Sequence, residues 1–195
     1  MESIRPPAVA RKLMWRLGRK IYTYARGESQ NDPCTNGEYW LLKHVLEASP
    51  GPQVLLDVGS NKGDWTAQAL GLAQTSKEIH VHAFEPSLAT RSTLSARFVG
   101  NGAVTVQPYA LSNVVGEATF YCGEFGAGTN SLSPASGSKA EIVTVTTLDD
   151  FLQQLGDGPV SMVKIDTEGF DLNVLRGAEK MLGDGRIEIV QFEYN

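Results

Sequence analysis

The stretch VLLDVGSNKGDW, residues 54–65, joins a short continuous apolar run to a turn bracketed by Gly59 and Gly63. An unalternated run of this kind is typical of a strand buried on both faces, and Asp64 then opens a helical pattern. Asp57 falls at the carboxyl end of the predicted strand, which is the ligand-binding edge of an open parallel sheet. The stretch therefore predicts the first strand, loop and helix of an α/β domain.

The same alternation continues toward the C-terminus. The further strand candidates are residues 79–84, 104–111, 160–165 and 187–192, and the helix candidates are residues 38–48, 64–73, 87–98 and 171–182. Strands that alternate with helices, and that lack polar alternation of their own, favour a parallel sheet with helices on both faces. We therefore expect a doubly wound, mainly parallel sheet.

One segment departs from this alternation. Residues 118–122 and 141–146 both have strand-like patterns, and residues 123–138 between them hold four glycines, four serines and Glu124 as the only charge. This composition predicts an inserted β-hairpin with a long loop, which is either slack or a functional lid. Thr147, with Asp150 three residues later, predicts the start of a short helix.

Length and composition bound the class of protein. The chain has 195 residues, 42% of them hydrophobic and 20% charged, which fits one folded domain and excludes disorder throughout. Its two cysteines, Cys34 and Cys122, match neither a disulfide framework nor a zinc site, which favours a reducing, cytoplasmic location. No apolar run approaches the roughly 20 residues that cross a bilayer.

The charges are unevenly distributed. Seven of the 17 Lys and Arg residues fall within residues 1–26, and the rest of the chain holds 10 basic against 21 acidic residues. An acidic body repels phosphates, so we expect no nucleic-acid partner. Residues 9–25 predict a basic amphipathic helix that packs on the domain, contacts a membrane surface or captures substrate. The domains are then residues 1–35, a basic helix and linker, and residues 36–195.

Two acidic residues define a candidate nucleoside pocket. Glu85 ends the second strand, 28 residues after Asp57, where a carboxylate can accept hydrogen bonds from both ribose hydroxyls. The spacing D-x-G-x-x-x-G differs from the G-x-G-x-x-G of dinucleotide sites. An acid in the loop suits a ligand with an ammonium group, which favours S-adenosylmethionine. A nicotinamide cofactor and a purely structural glycine turn remain alternatives.

Three further acids are candidates for chemistry. Asp166 and Glu168 follow one predicted strand, and Glu193 ends the neighbouring one, so all three are expected in the same crevice. One carboxylate could remove a proton from a hydroxyl, or several could hold Mg²⁺ and lower the pKa of that hydroxyl. Structural capping of the loops is the third interpretation.

An ordered set of motifs carries a family resemblance. The motifs are NGE at 36–38, DVGSNKG at 57–63, AFEP at 83–86, ALSN at 110–113, TLDDF at 147–151, KIDTEGFDLNVLRGAEKML at 164–182 and QFEYN at 191–195. Over residues 36–195 the chain resembles the FkbM-type methyltransferases, and KIDTEG followed by LRGA is the most distinctive part.

The resemblance implies a Rossmann-like methyltransferase that uses S-adenosylmethionine and methylates a hydroxyl oxygen of a sugar, a lipid-linked glycan or a secondary metabolite. It further implies that Glu85 holds the ribose and that Ser112 lies near adenine. The remaining cofactor-binding residues it implies are Glu38, Asp57, Gly59, Asn61 and Gly63. A non-catalytic nucleoside-binding domain and a nicotinamide oxidoreductase are the rival functions.

The resemblance also has a departure. Domains of this family normally continue past a strand like QFEYN into two further strands, whereas this sequence stops at Asn195. We therefore expect either a fragment or a sheet of about five parallel strands that lacks the C-terminal ones. Such a shortened sheet would leave residues 187–192 at an unprotected edge.

Overall fold

A computed structural model describes most of the chain. The described residues are 10, 14–15, 17–18, 21–22, 24–25, 32–48, 51–73, 78–122 and 139–192. The chain forms two compact units, residues 1–42 and residues 43–195. The predicted Gly/Ser loop at 123–138 and the candidate Glu193 lie outside the described residues.

Strands and helices alternate along most of the second unit. The helices are α1 (Glu38–Ala48), α2 (Asp64–Ala73), α3 (Leu88–Arg97), α4 (Leu148–Leu155), α5 (Asp171–Arg176) and α6 (Glu179–Gly183). The strands are β1 (Gln53–Val58), β2 (Ile79–Phe84), β3 (Val104–Gln107), β4 (Ala110–Leu111), β5 (Gly116–Cys122), β6 (Lys139–Thr146), β7 (Met162–Ile165) and β8 (Val190–Phe192). Among the described N-terminal residues, 10 to 25 are helical as well.

The larger sheet has five strands in the order β3-β2-β1-β7-β8, and all its pairs are parallel. β7 is buried along its whole length, and β1 and β2 are buried at all but one position each. Burial on both faces explains why these strands are continuous apolar runs. The predicted doubly wound, mainly parallel Rossmann-like sheet is confirmed, and β8 forms one edge of the five described strands.

One face of this sheet packs on α4, α5 and α6. The packed cluster comprises Leu56, Val58, Phe84, Leu111, Leu148, Phe151, Leu152, Val160, Val163, Ile165, Val174, Ala178, Met181 and Ile187. It joins residues from β1, β2 and β7 to one residue of β4, so the smaller sheet is anchored to the same core. β4 therefore packs on the same side of the five-stranded sheet as α4, α5 and α6.

The predicted hairpin is confirmed, and it belongs to a sheet of its own. β5 and β6 pair antiparallel, and β4 joins β6 in parallel to give the order β4-β6-β5. The helix start at Thr147 is also confirmed, because the Thr147 hydroxyl accepts a hydrogen bond from the Asp150 N–H at 3.0 Å. No helix among the described residues has the length and hydrophobicity needed to cross a membrane.

Two elements differ from the prediction. The single strand expected at 104–111 is two strands in different sheets, since Pro108 follows β3 and has no N–H for a ladder. The single helix expected at 171–182 is divided into α5 and α6. Its break lies at Gly177, whose carbonyl accepts from the Asp149 N–H at 2.8 Å.

Candidate active site

The site is built at the point where the strand order reverses. β1 has β2 on one side and β7 on the other, and a crevice opens at such a switch point beyond the carboxyl ends of the strands. Gly59 follows β1, and Asp166 follows β7. A Cβ atom added to Gly59 would lie 1.9 Å from the carbonyl oxygen of Asp166, so only glycine allows these two loops to touch.

The loop after β1 is held by its own polar atoms. The N–H groups of Gly59 and Ser60 donate to the carbonyl of Phe84 at 3.2 and 2.9 Å, and the Ser60 hydroxyl donates to the carbonyl of Asp57 at 2.6 Å. Gly63, at φ +80°, packs closely on Leu94, whose Cδ1 would lie 2.6 Å from an added Cβ. The neighbours of both glycines are thus parts of the protein itself, while their contact with a cofactor stays a prediction.

Glu85 closes the loop from the end of β2. Its side chain is 4% exposed and accepts from the backbone N–H of Asn61 at 3.1 Å and of Ser87 at 2.9 Å. Asn61 has a φ of 50°, a left-handed conformation that asparagine tolerates better than most residues. Burial raises the pKa of Glu85 to about 7, although both backbone hydrogen bonds oppose that rise. Two acceptor positions of the carboxylate remain for a diol.

Asp57 is fully buried, and its carboxylate faces into the protein. The Thr66 hydroxyl donates to Oδ2 at 2.6 Å, and the Lys164 Nζ lies 3.7 Å from Oδ1. Burial raises the pKa of Asp57, and the Lys164 ammonium group and the Thr66 hydroxyl partly offset this effect. The ammonium group beside Asp57 in the structure is that of Lys164, so a direct cofactor contact of Asp57 stays a prediction.

Lys164 also reaches the neighbouring acid. Its Nζ donates to Asp166 Oδ2 at 3.2 Å, and the side chains of Lys164 and Asp166 are 11% and 41% exposed. One lysine thus lies between a buried carboxylate and an accessible one. The sequence gives no signal for this role beyond the need of a buried Asp57 for a partner.

The other predicted catalytic acids are placed differently. Glu168 is exposed, with a φ of 53°, two residues beyond Asp166. The loop between them and α5 is held by Asp171, whose Oδ1 accepts from both the N–H and the hydroxyl of Thr167 at 3.1 Å. Among the described residues no three His, Cys, Asp or Glu side chains form a group that could hold a metal ion. The role of Glu193 stays a prediction.

Ser112 follows β4 and lies between the end of β6 and Gly177. Its N–H donates to the carbonyl of Thr146 at 3.0 Å, and its own carbonyl would lie 2.0 Å from a Cβ added to Gly177. Ser112 also begins a groove of about 440 Å³, which sequence reasoning missed. Contacts with adenine stay a prediction for Ser112.

Glu38 belongs to the first unit and begins α1. The side chain of Asn36 accepts from the Glu38 N–H at 2.9 Å, and the carbonyl of Gly37, at the N-cap position, accepts from the Leu41 N–H at 2.9 Å. The described contacts therefore give the NGE motif a role in starting the helix. The predicted cofactor role of Glu38 is not tested by them.

Comparison with known proteins adds the family. A family profile described as "Methyltransferase FkbM domain" matches residues 57–195. A hexuronic acid methyltransferase, AglP, from Haloferax volcanii is 32% identical over 159 residues, covering 80% of this chain and 62% of the relative. The crystal structure of methyltransferase FkbM from Methylobacillus flagellatus aligns with a TM-score of 0.50 at 18% identity, covering 71% of this chain and 32% of that one.

The fold is therefore that of a Rossmann-like methyltransferase domain. The chain belongs to the FkbM methyltransferase family. It spans 62% of the length of the Haloferax relative. The resemblance drawn from the motifs is confirmed, and the family implies S-adenosylmethionine as the cofactor.

Proposed function

We propose that this chain binds S-adenosylmethionine and transfers the methyl group to a hydroxyl oxygen of a sugar. The observation that carries the proposal is the arrangement at the switch point. There the loop after β1 meets Asp166 on one side and the nearly buried carboxylate of Glu85 on the other. This arrangement combines three features: a carboxylate that can accept hydrogen bonds from the ribose hydroxyls, a loop with a glycine at position 59, and an accessible base.

The residues at this edge suit a positively charged ligand. Asp57, Glu85 and Asp166 bring three carboxyl groups to neighbouring strand ends, with two cations beside them: Lys164 near Asp57 and Asp166, and Arg91 near Glu85. Glu85 and the loop at 59–63 would hold the cofactor through its ribose and through backbone contacts. When bound, S-adenosylmethionine supplies a methyl group on a positively charged sulfur.

Asp166 is the proposed base. The methyl group passes from sulfur to the acceptor oxygen, and the hydroxyl proton passes to the Asp166 carboxylate, which leaves a methyl ether and S-adenosylhomocysteine. Lys164, at 3.2 Å, holds Asp166 in one orientation. This role falls to Asp166 because Asp57 is fully buried and Asp166 is accessible.

A sugar acceptor is supported by the relative from Haloferax volcanii, which is named for hexuronic acid. Calorimetry with S-adenosylmethionine, S-adenosylhomocysteine and NAD⁺ tests the cofactor, and transfer of labelled methyl to a panel of glycosides tests the reaction. We expect the first two ligands to bind and NAD⁺ to fail. Tight NAD⁺ binding alone would favour an oxidoreductase, and cofactor binding without transfer to any acceptor would favour a binding domain.

The N-terminal unit supports a proposal about where the protein acts. Met14, Leu17 and Ile21 lie in described helical positions and are 63%, 60% and 61% exposed. Residues 9–25 carry five Lys or Arg and no acid. Apolar side chains on a basic helix are the composition of an interfacial segment, so the proposed occupant of this surface is an anionic membrane.

Co-sedimentation with lipid vesicles tests this proposal. We expect binding to vesicles containing phosphatidylglycerol, little binding to pure phosphatidylcholine, and loss of binding in Leu17→Glu. The control is Leu155→Glu, because Leu155 is an exposed leucine of the second unit, outside the basic segment. Equal binding of both variants, or concentration-dependent dimers in place of vesicle binding, would overturn it.

A further inference from the structure

The groove between β5 and the start of α5 shares only Ser112 with the predicted cofactor-binding residues, and its other lining residues have no role in the site described so far. It has a volume of about 440 Å³, which is within the range of ligand pockets. Ser112 begins one side of it, and Phe170 and Asn173 form another. The groove therefore extends from the loop after β4 to the start of α5. Phe170, which lines it, ends the loop that begins at Asp166.

The lining combines apolar surface with neutral hydrogen-bonding groups. Val145 is buried beneath it, and the aromatic rings of Tyr121 and Phe170 contribute flat surface. Asn113 and Asn173 contribute amides, each of which offers two donors and an acceptor. A pyranose has a flat C–H face and a rim of hydroxyls, so rings and amides together match its chemistry.

The charge of the groove separates neutral from acidic sugars. Of the twelve described residues that line it, Glu117 is the only acid, and none is a lysine or arginine. Among these described lining residues, a uronate carboxylate would meet one acid and no cation, which disfavours it electrostatically. The groove thus differs from what a hexuronic acid would require.

The groove also borders the loop that carries the proposed base. Asp166 and Phe170 are four residues apart, so they are separated by at most about 14 Å even in an extended chain. The segment is not extended, because Glu168 and Gly169 have φ values of 53° and 101°. A sugar ring in the groove could therefore present a hydroxyl to Asp166.

We infer that this groove is the acceptor subsite and that it takes an uncharged glycosyl group in preference to a uronosyl group. The inference rests on the proposed function for its identification of the occupant as the acceptor. Beyond the proposed function, it identifies the residues that bind the sugar and specifies that they prefer an uncharged sugar.

Direct binding of two matched probes tests the inference. The probes are p-nitrophenyl β-glucoside and p-nitrophenyl β-glucuronide, which differ only at C6, and saturation-transfer NMR measures their affinities at low salt with and without S-adenosylhomocysteine. We expect the glucoside to bind about tenfold more tightly than the glucuronide. Equal or tighter glucuronide binding would overturn the charge selection, and binding of neither probe would overturn the subsite.

Variants then locate the binding. Phe170→Ala and Asn173→Ala should each weaken glucoside binding about tenfold, and the use of both covers a failure of either variant to fold. Glu117→Gln should reduce the ratio of glucoside to glucuronide affinity about fivefold. Glu188→Gln, which changes an exposed acid outside the groove, should leave this ratio unchanged. Unaltered affinities in all three groove variants would place the sugar elsewhere.

The readout also separates this inference from the proposed function. Absence of S-adenosylhomocysteine binding would count against the methyltransferase proposal, while glucoside binding that depends on Phe170 would still show the sugar subsite. Conversely, a chain that binds S-adenosylhomocysteine but neither glycoside would keep the cofactor site and lose the subsite.

Discussion

The carboxyl edge of the five-stranded sheet and the groove on the three-stranded sheet use their polar groups in opposite ways. At the first, Asp57 and Glu85 are 0% and 4% exposed and both already accept hydrogen bonds from the protein. At the second, Asn113, Glu117 and Thr119 are exposed. One region is closed by internal contacts, and the other is open to solvent.

This difference has a consequence for mutagenesis. At the sheet edge, Asp57 and Glu85 hold the loops and are also predicted cofactor ligands, so changes there should affect stability and cofactor binding together. Groups in the groove have few internal partners, so changes there should affect acceptor binding alone. Asp166 is intermediate between the buried groups of the sheet edge and the exposed groups of the groove, since its side chain is 41% exposed.

The largest effect is expected for Asp166→Asn. The amide keeps the shape of the carboxylate but cannot accept the hydroxyl proton, so turnover should fall by about 10² to 10⁴. Affinity for S-adenosylhomocysteine and the urea midpoint should stay close to the parent values. Steady-state methyl transfer measures the turnover, calorimetry the affinity and urea unfolding the midpoint, and parental turnover in a folded variant would assign Asp166 a structural role.

Gly59→Val tests the closed edge through stability. The added side chain would meet the Asp166 carbonyl at a backbone φ of +79°, so strain and overpacking together should cost about 4 kcal/mol of unfolding free energy. Urea unfolding measures this loss, which should remove cofactor binding as well.

Gly71→Ala provides the matched control. Gly71 is exposed in α2, and a Cβ added there meets nothing within 4 Å. Alanine at this helical position should stabilise the chain by roughly 0.5 to 1 kcal/mol. A similar loss in both variants would contradict the assigned contact between Gly59 and Asp166.

The elements of the closed edge could be predicted because short-range patterns determine them. The run at 54–58, its glycine turn and the helix from Asp64 all have local signals, and α2 has the predicted bounds. Carboxyl ends of parallel strands meet at one edge, so the positions of Asp57, Glu85 and Asp166 followed from topology. The break at Gly177 could not be predicted in this way, and the close approach of Gly177 to the Ser112 carbonyl is a contact between residues distant in the chain.

The open groove could not be predicted from the sequence. It joins residues of β5 to Phe170 and Asn173, which are about 50 positions away in the chain and carry no shared spacing. Pairing of Lys164 with a nearby acid could be expected from the sequence, but for a related reason its two partners, Asp57 and Asp166, could not be identified. Asp57 is on β1 and Lys164 is on β7, so they are far apart in the sequence. A lysine within an apolar run gives no sequence pattern that identifies its partners.

Lys164→Met tests whether one ammonium group serves both acids. Without it the fully buried Asp57 lacks a counter-charge, so the variant should lose about 3 kcal/mol of unfolding free energy at neutral pH. Burial then holds the pKa of Asp57 above its unfolded value, so protonation favours the folded state and the loss should shrink as the pH falls. Urea unfolding from pH 5 to pH 8 measures this dependence.

The double variant Lys164→Met/Asp57→Asn provides the comparison for this result. It removes both charges, so its stability should exceed that of the single lysine variant at pH 8 and should vary less with pH. If the single variant is unaffected at every pH, Asp57 is stabilised without the lysine and the shared contact has no energetic role.

The smallest effect concerns Glu85, whose pKa of about 7 lies above the ordinary value of 4.5 because of burial. An ionised carboxylate accepts the ribose hydroxyls more strongly than a protonated one, and the ionised fraction rises with pH around that pKa. Adenosine is the suitable probe, because it carries the ribose and has no group of its own that titrates in this range. Its affinity should therefore increase roughly tenfold between pH 6 and pH 8.

Glu85→Gln should remove this pH dependence and weaken adenosine binding at pH 8 by about 10- to 150-fold, the loss of one charge-assisted hydrogen bond. Calorimetry with 2'-deoxyadenosine completes the test, since in the parent it should bind more weakly than adenosine and in the variant nearly as well as adenosine. A full penalty for the deoxy analogue in Glu85→Gln would show that another group holds the ribose. A parent affinity that is flat from pH 6 to pH 8 would show that Glu85 keeps one charge state throughout, and the closed edge would then bind the cofactor without a titrating group.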